Sequence, residues 1–235
     1  MSAQPTAGGP LSLLAITTSV QTEAALLHDG RIQTAAGDGQ ALAALLPAVR
    51  SLLSGARLEA KTLDAIAICT GPGSFTGLRI GMAFAKTLAQ VHDLPMIAVS
   101  AFDVAELSAP GEIAQYPVVA LAMGKPDLYY ARSRRSADDK GHRFTADRTG
   151  LQAEIDRLTR ECAAAVRVVG ADLSSYKAGE RAQRVALLGE RAWRDGRVVR
   201  WRDIAIDYGQ RPNAVVNWER RQARAAEGQP QKPRE

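Results

Sequence analysis

The 235-residue chain carries 30 Lys and Arg against 25 Asp and Glu, a net charge of +5, with 46% hydrophobic and 23% charged residues. That length holds one large domain or two small ones with ample core, and the composition is that of a globular protein rather than a disordered or fibrous one. No apolar run approaches the roughly 18 residues of a helical membrane span, and two cysteines supply neither a disulfide framework nor metal-ligand spacing.

The start, Met1 to Pro10, has neither a basic n-region nor a long apolar stretch, and reads as a disordered polar arm without a secretory signal. Leu11 to Ile16 reads as a buried strand, followed by a turn at Thr17-Thr18-Ser19. Ala24 to Leu27 makes a second strand, His28-Asp29-Gly30-Arg31 a hairpin turn, and Ile32 to Ala36 a third strand. A helix is expected from about Gln40 to Ser54 with Asp38 as its cap, because Leu42, Leu45, Leu46, Val49, Leu52 and Leu53 form one stripe. Pro47 removes an N–H from that helix and predicts a kink or a later start. The stripe needs a cover, either the chain's own sheet or another subunit.

Leu63 to Cys69 is a central strand, and it presents the most distinctive stretch of the chain, Thr70-Gly71-Pro72-Gly73-Ser74-Phe75-Thr76-Gly77-Leu78-Arg79-Ile80-Gly81. A helical pattern follows to Gln90, ended by Asp93-Leu94-Pro95. Strand, glycine-rich turn and helix N-terminus can face an anion, which nominates Thr17, Thr18, Gly71, Gly73, Ser74 and Arg79 as phosphate contacts. The spacing nevertheless fits neither the dinucleotide loop nor the Walker A loop. Gly73, Gly77, Gly81, Ala85 and Ala89 recur every four residues, a ridge without side chains. A mid-helix glycine costs about 1 kcal/mol relative to alanine, so Gly81 needs a compensating close approach, to the chain's own sheet or to a helix of another subunit. Arg79 opposes the helix dipole from the first turn, and is expected to reach a carboxylate or a phosphate.

The motif from Thr70 to Gly81 resembles the signature of the TsaB (YeaZ) family, the non-catalytic partner of TsaD in making threonylcarbamoyladenosine on tRNA; the similarity runs from Leu13 to about Ala105. The resemblance implies an α/β fold of two related ribonuclease-H-like, actin-like (ASKHA) domains with mixed sheets flanked by helices. It also implies a cytoplasmic protein with TsaD and TsaE as partners, a homodimer when alone, and contact with tRNA only through the complex. The dimer or TsaD contact would use Leu42, Leu45, Leu46, Val49, Leu53, Gly73, Gly77, Gly81, Ala85 and Ala89. This chain departs from the actin-like pattern at three positions: Thr17 stands where relatives usually have Asp, Ala41 where a histidine is often kept, and Ala122-Met123-Gly124 where Asp-Ala-Arg is usual. A hydroxyl does not balance a divalent cation as a carboxylate does. No metal, no catalytic residue and no cofactor is therefore expected on this chain, with ATP or ADP confined to the interface with TsaD.

Met96 to Ser100 is the next strand, and Ala101 to Leu107 starts a helix that bridges two domains, 11–107 and 108–218, with a break at Ser108 to Gly111. Pro117 to Ala122 and Leu128 to Arg132 are strands joined by a loop bearing Lys125, and Arg134 to Arg148 reads as a polar, mobile hairpin. Leu151, Ile155, Leu158 and Cys162 mark an amphipathic helix, Ala165 to Val169 a strand, and Gly179 to Arg194 a last helix with Gly196 at its C-terminal cap. Both Cys69 and Cys162 read as buried thiols. Residues 1–176 hold 16 basic against 17 acidic side chains and residues 177–235 hold 14 against 8, so the excess charge lies wholly in the last quarter. That region, with Trp193, Trp201 and Trp218 among arginines, could steer toward tRNA; residues 219–235 read as a disordered basic tail.

The favoured reading is a scaffold and activator that binds TsaD, with TsaE, for threonylcarbamoylation of adenosine 37 in ANN-decoding tRNAs. The alternative is an ATP-dependent transferase or peptidase of the actin-like class acting on its own.

Overall fold

The computed structural model describes residues 10–37, 41–107, 118–125, 128–136, 139–170 and 177–209. The tail at 219–235, Trp218, Asp38 and all but Pro10 of the N-terminal arm lie outside the described residues.

Five strands form the first sheet: β1 (Leu13–Thr17), β2 (Thr22–His28), β3 (Arg31–Gly37), β4 (Ala65–Gly71) and β5 (Met96–Ser100), in the order β3-β2-β1-β4-β5. The β1–β2–β3 meander is antiparallel, whereas β4 and β5 join in parallel through crossovers. Helices α1 (Ala41–Gly55) and α2 (Phe75–His92) supply those crossovers. The alternation of β1 and β4 decides which helix covers which face. Leu14, Ile16, Ile66 and Ile68 point into one core with Leu45, Val49 and Leu52 of α1 and Met82, Ala85 and Ala89 of α2. Leu13, Ala15, Ala65, Ala67 and Cys69 point the other way, onto α5 (Glu180–Arg194). That second face is mostly alanine, so α5 sits close; a Cβ on its Gly189 would stand 2.7 Å from the Ala67 methyl.

The second sheet has the order β8-β7-β6-β9, built from β6 (Val118–Lys125), β7 (Leu128–Arg134), β8 (His142–Ala146) and β9 (Arg167–Val169). It too is mixed, with β6 antiparallel to β7 and parallel to β9. Helix α4 (Arg148–Cys162) covers one face through Leu151 and Leu158, and α3 (Ala101–Glu106) covers the other through Phe102 and Ala105. Buried Glu106 of α3 accepts hydrogen bonds from Arg132 at 2.7 Å and from Arg134, fastening α3 to β7.

Four expectations are corrected. The stretch Arg134 to Arg148 contains β8, whose polar residues are accommodated because that edge strand is largely exposed. Strand β6 runs on to Lys125 instead of ending at Ala122, carried past a register shift into the hairpin with β7. Cys162 is only half-buried, at the C-terminus of α4. Most consequentially, α5 does not belong with the second sheet, as a 108–218 domain would require; it returns to the first. Its N-terminus is fixed there by a fully buried ion pair, Arg181 Nη2 to Glu23 Oε1 at 3.0 Å, while Glu23 Oε2 accepts the Ala182 N–H at 3.1 Å. The C-terminal cap of α5 is Asp195 rather than Gly196, which follows it at φ of +69° and lets the Arg197 N–H reach back to Ala192 O at 2.8 Å.

Removing one partner of a buried pair strands the other's charge, which costs about 3–5 kcal/mol. Arg181→Ala is therefore expected to lower the urea unfolding free energy by that amount, while Arg194→Ala, which breaks the exposed helix pair with Glu190, changes it by no more than about 0.5 kcal/mol.

Candidate functional site

The glycine-rich turn leaves β4 through a bulge opposite β5 at Cys69 to Gly71, passes the cis Gly71–Pro72 bond, and enters α2 at the cap Ser74. Ser74 Oγ accepts the Gly77 N–H at 3.2 Å, and its own N–H donates to Ser19 O at 2.7 Å. The turn after β1 thus lies directly on the N-terminal turns of α2. Thr17 Oγ1 and Ser19 Oγ share a hydrogen bond of 3.0 Å and both residues are buried.

This contact explains the ridge. A Cβ on Gly73 would stand 2.6 Å from Ser19 O; on Gly77 it would overlap Thr18 O, and on Gly81 it would overlap Thr18 Oγ1. Ala85 and Ala89 continue the same line into the core under the sheet. The side-chain-poor face is therefore used inside the chain, which corrects its assignment to a contact with another subunit. Of the leucine stripe, Leu45, Val49 and Leu52 are core and Leu53 packs partly against it, so Leu45 and Val49 are likewise corrected from interface to interior. Leu42 and Leu46 behave differently, being 76% and 51% exposed on the outer side of α1. Two apolar side chains on α2, Phe75 at 58% and Val91 at 69% exposure, are also largely exposed and lie off the four-residue ridge.

The phosphate contacts nominated from sequence are brought together only in part. Gly71, at φ of +109°, needs its missing side chain because Asp207 O occupies that space, and Gly73 needs its own because of Ser19. Among the described residues Arg79 lies over the Phe75 ring, its guanidinium 5.2 Å from the ring centroid in a cation–π contact. Thr18 and Ser74 do share a cleft of about 740 Å³ between the β1–β2 turn, the end of β3, the start of α1 and the first turns of α2. Among the described residues, Gln21, Thr22, Thr76 and Ala41 line it too, giving hydroxyl, amide and methyl groups. Thr18 Oγ1 is buried beside it and has no hydrogen-bond partner among the described residues. Of the three substituted positions, Thr17 is committed to Ser19 and Ala41 borders the cleft, whereas the side chain of Ala122 lies outside the described residues. Lys125 is outside them in the same sense. Burial pushes the Cys69 thiol above its ordinary pKa, partly offset by hydrogen bonds from Gly71, Ser19 and Thr17. It is a neutral packing group rather than a nucleophile.

The family model of TsaD, tRNA N6-adenosine threonylcarbamoyltransferase, matches residues 40–163. The tRNA threonylcarbamoyladenosine biosynthesis protein TsaB of Bacillus subtilis is 47% identical over 58 residues, 25% of this chain and 25% of its own. TsaB of Haemophilus influenzae is 38% identical over 93 residues, 38% of this chain and 39% of its own. The chain thus matches between a quarter and two-fifths of the length of these curated relatives. Among solved structures, YeaZ from Pseudomonas aeruginosa superposes with a TM-score of 0.63 at 26% identity, covering 84% of this chain and 99% of that one. None of the described helices is long and apolar enough to cross a membrane.

Gly77→Ala is expected to lift α2 from Thr18 and cost about 1–3 kcal/mol by overpacking, read as a lower urea midpoint. In the native protein iodoacetamide is expected to label Cys162 well before Cys69, with both labelled at equal rates once the chain is unfolded.

Proposed function

Since this chain belongs to the TsaD family, in its TsaB (YeaZ) branch, we propose that it is a non-catalytic scaffold and activator subunit for the threonylcarbamoylation of adenosine 37 in ANN-decoding tRNAs. In this reading it acts in the cytoplasm, docks on TsaD with TsaE as third partner, and pairs with itself when alone. Its two mixed sheets are read as the two related actin-like domains. TsaD supplies the transferase chemistry.

The observation that carries the reading is the outward side of α1 and α2. Leu42 and Leu46, one turn apart on α1, are apolar and mostly exposed, and Phe75 and Val91 stand exposed at the two ends of α2, which lies beside α1 over the same face of the sheet. Exposed apolar side chains on a helix pair are the kind that a partner helix pair covers. The inner sides of both helices are already spent on the core, so docking must use this outer set rather than the glycine ridge. The cleft beside Thr18 and Ser74 offers hydroxyl donors and acceptors around a small ligand, which supports ATP or ADP held jointly with TsaD.

The test is co-purification with TsaD and measurement of size and affinity. Leu42→Asp and Leu46→Asp change exposed positions, so both variants are expected to keep the native circular dichroism while weakening TsaD binding at least tenfold, about 1.4 kcal/mol each. Undiminished TsaD affinity in a natively folded double variant would refute the docking face.

A further inference from the structure

After α5 the chain does not leave the molecule but crosses the open side of β5 and runs back over the glycine turn. Val199 and Met96 exchange both backbone hydrogen bonds, at 2.8 and 2.9 Å. Ile204 is buried in the core beneath α1 and α2, with Trp201 and Ile206 packed against it. The next three residues touch four elements. The Asp207 N–H donates to Thr70 O at the end of β4, at 2.8 Å. Asp207 Oδ2 accepts from Arg143 Nη2 of β8 at 2.6 Å, while Oδ1 accepts the Gly209 N–H at 2.9 Å. The Tyr208 ring stands 5.1 Å from Phe75 at the start of α2, and Gly209 fits between Pro72 and Tyr130 of β7, where a Cβ would stand 2.8 and 3.0 Å from them.

Gly71 and Gly209 both owe their lack of a side chain to this crossing. Two glycines on separate segments, a backbone hydrogen bond, an ion pair and a ring contact all converge on residues 207–209. We propose that residues 197–209 are a mechanical strap that couples the outer face of α2 to the second sheet: Phe75 is held from the side by Tyr208, and Tyr208 is followed by the residue wedged against β7 and preceded by the one bound to β8. A partner that covers Phe75 therefore also presses on the strap, and through Asp207 and Gly209 it biases the position of β7 and β8 relative to the glycine turn. The inference rests on the docking reading above for the identity of the partner, but the strap itself is a property of the chain alone.

Hydrogen exchange on the full chain tests both halves. In the chain alone, Phe75→Ala and Asp207→Asn are each expected to speed exchange of the 204–209 segment roughly fivefold or more, and Asp207→Asn also that of β8 (142–146), with β2 unchanged. Asp207→Asn keeps the acceptor for the Gly209 N–H and removes only the charge facing Arg143. Gly209→Leu, which drives the strap off Pro72, serves as the independent second variant and is expected to act in the same direction. On adding TsaD, wild type is expected to slow exchange on the outer side of α1 and α2 and also in β8, whereas Asp207→Asn keeps the first effect and loses the second. Equal protection of β8 in both proteins, or none in wild type, would overturn the coupling. Failure of wild type to bind TsaD would sink the docking reading instead, and the chain-alone comparison would still decide whether the strap holds β8.

Discussion

The close approach of the α2 backbone to the turn after β1 is the constraint on which the rest of the structure depends. Three glycines at four-residue spacing remove the side chains that would otherwise hold the helix off Thr18 and Ser19. The Ser74 N–H and Ser19 O then lock the approach with one short hydrogen bond. With α2 placed at that depth, Met82, Ala85 and Ala89 reach the large-residue face of the sheet, and α1 packs beside it on the same core. The intrinsic cost of Gly77 and Gly81 in a helix, about 1 kcal/mol each, is offset by contacts that no larger residue allows.

The sheet itself sorts its neighbours by size. Leucine and isoleucine on one face accept two helices at ordinary distance, and alanine on the other lets α5 come close enough that Gly189 meets Ala67. Burying Glu23 and Arg181 completely is expensive unless each satisfies the other. Here Glu23 bonds both the guanidinium and an N–H in the first turn of α5, so the pair also settles where that helix begins. The consequence is topological: the C-terminal part of the chain is committed to the first sheet, and the segment after α5 must cross the motif.

How far this was readable from sequence follows from the range of the interactions. Strands β1 to β5 and helices α1, α2, α4 and α5 announce themselves through local periodicity and local stop signals, and the end of α2 was legible at Asp93, whereas Ser74, read as a phosphate contact, is its N-terminal cap. The ridge was legible as a need for close approach, but the spacing of Gly73, Gly77 and Gly81 says nothing about which backbone arrives; that backbone lies more than fifty residues earlier, at Thr18 and Ser19. Strand β8 was hidden because an exposed edge strand tolerates His142, Arg143 and Thr145, which spoil the apolar alternation. The return of α5 depends on Glu23, a single acidic residue in an otherwise apolar strand, whose significance appears only when its partner 158 positions later is placed against it. Arg79 opposes the helix dipole from the first turn, and the ring of Phe75 one turn earlier lies within cation–π distance of it.

The division of labour between the two sides of α1 and α2 bears on what kind of function the chain can have. Among the described residues, the turns after β1 and β4 are packed by the chain's own groups: Thr17 is hydrogen-bonded to Ser19, Gly73 is occupied by Ser19, and Gly71 by Asp207. The inner side is thereby fixed, while Leu42, Leu46, Phe75 and Val91 stay largely exposed on the outer side. Exposed apolar area of that kind is a liability for a free monomer and an asset for a subunit. Phe75 belongs at once to that outer set and, through Tyr208, to the segment that crosses from α5 over the glycine turn.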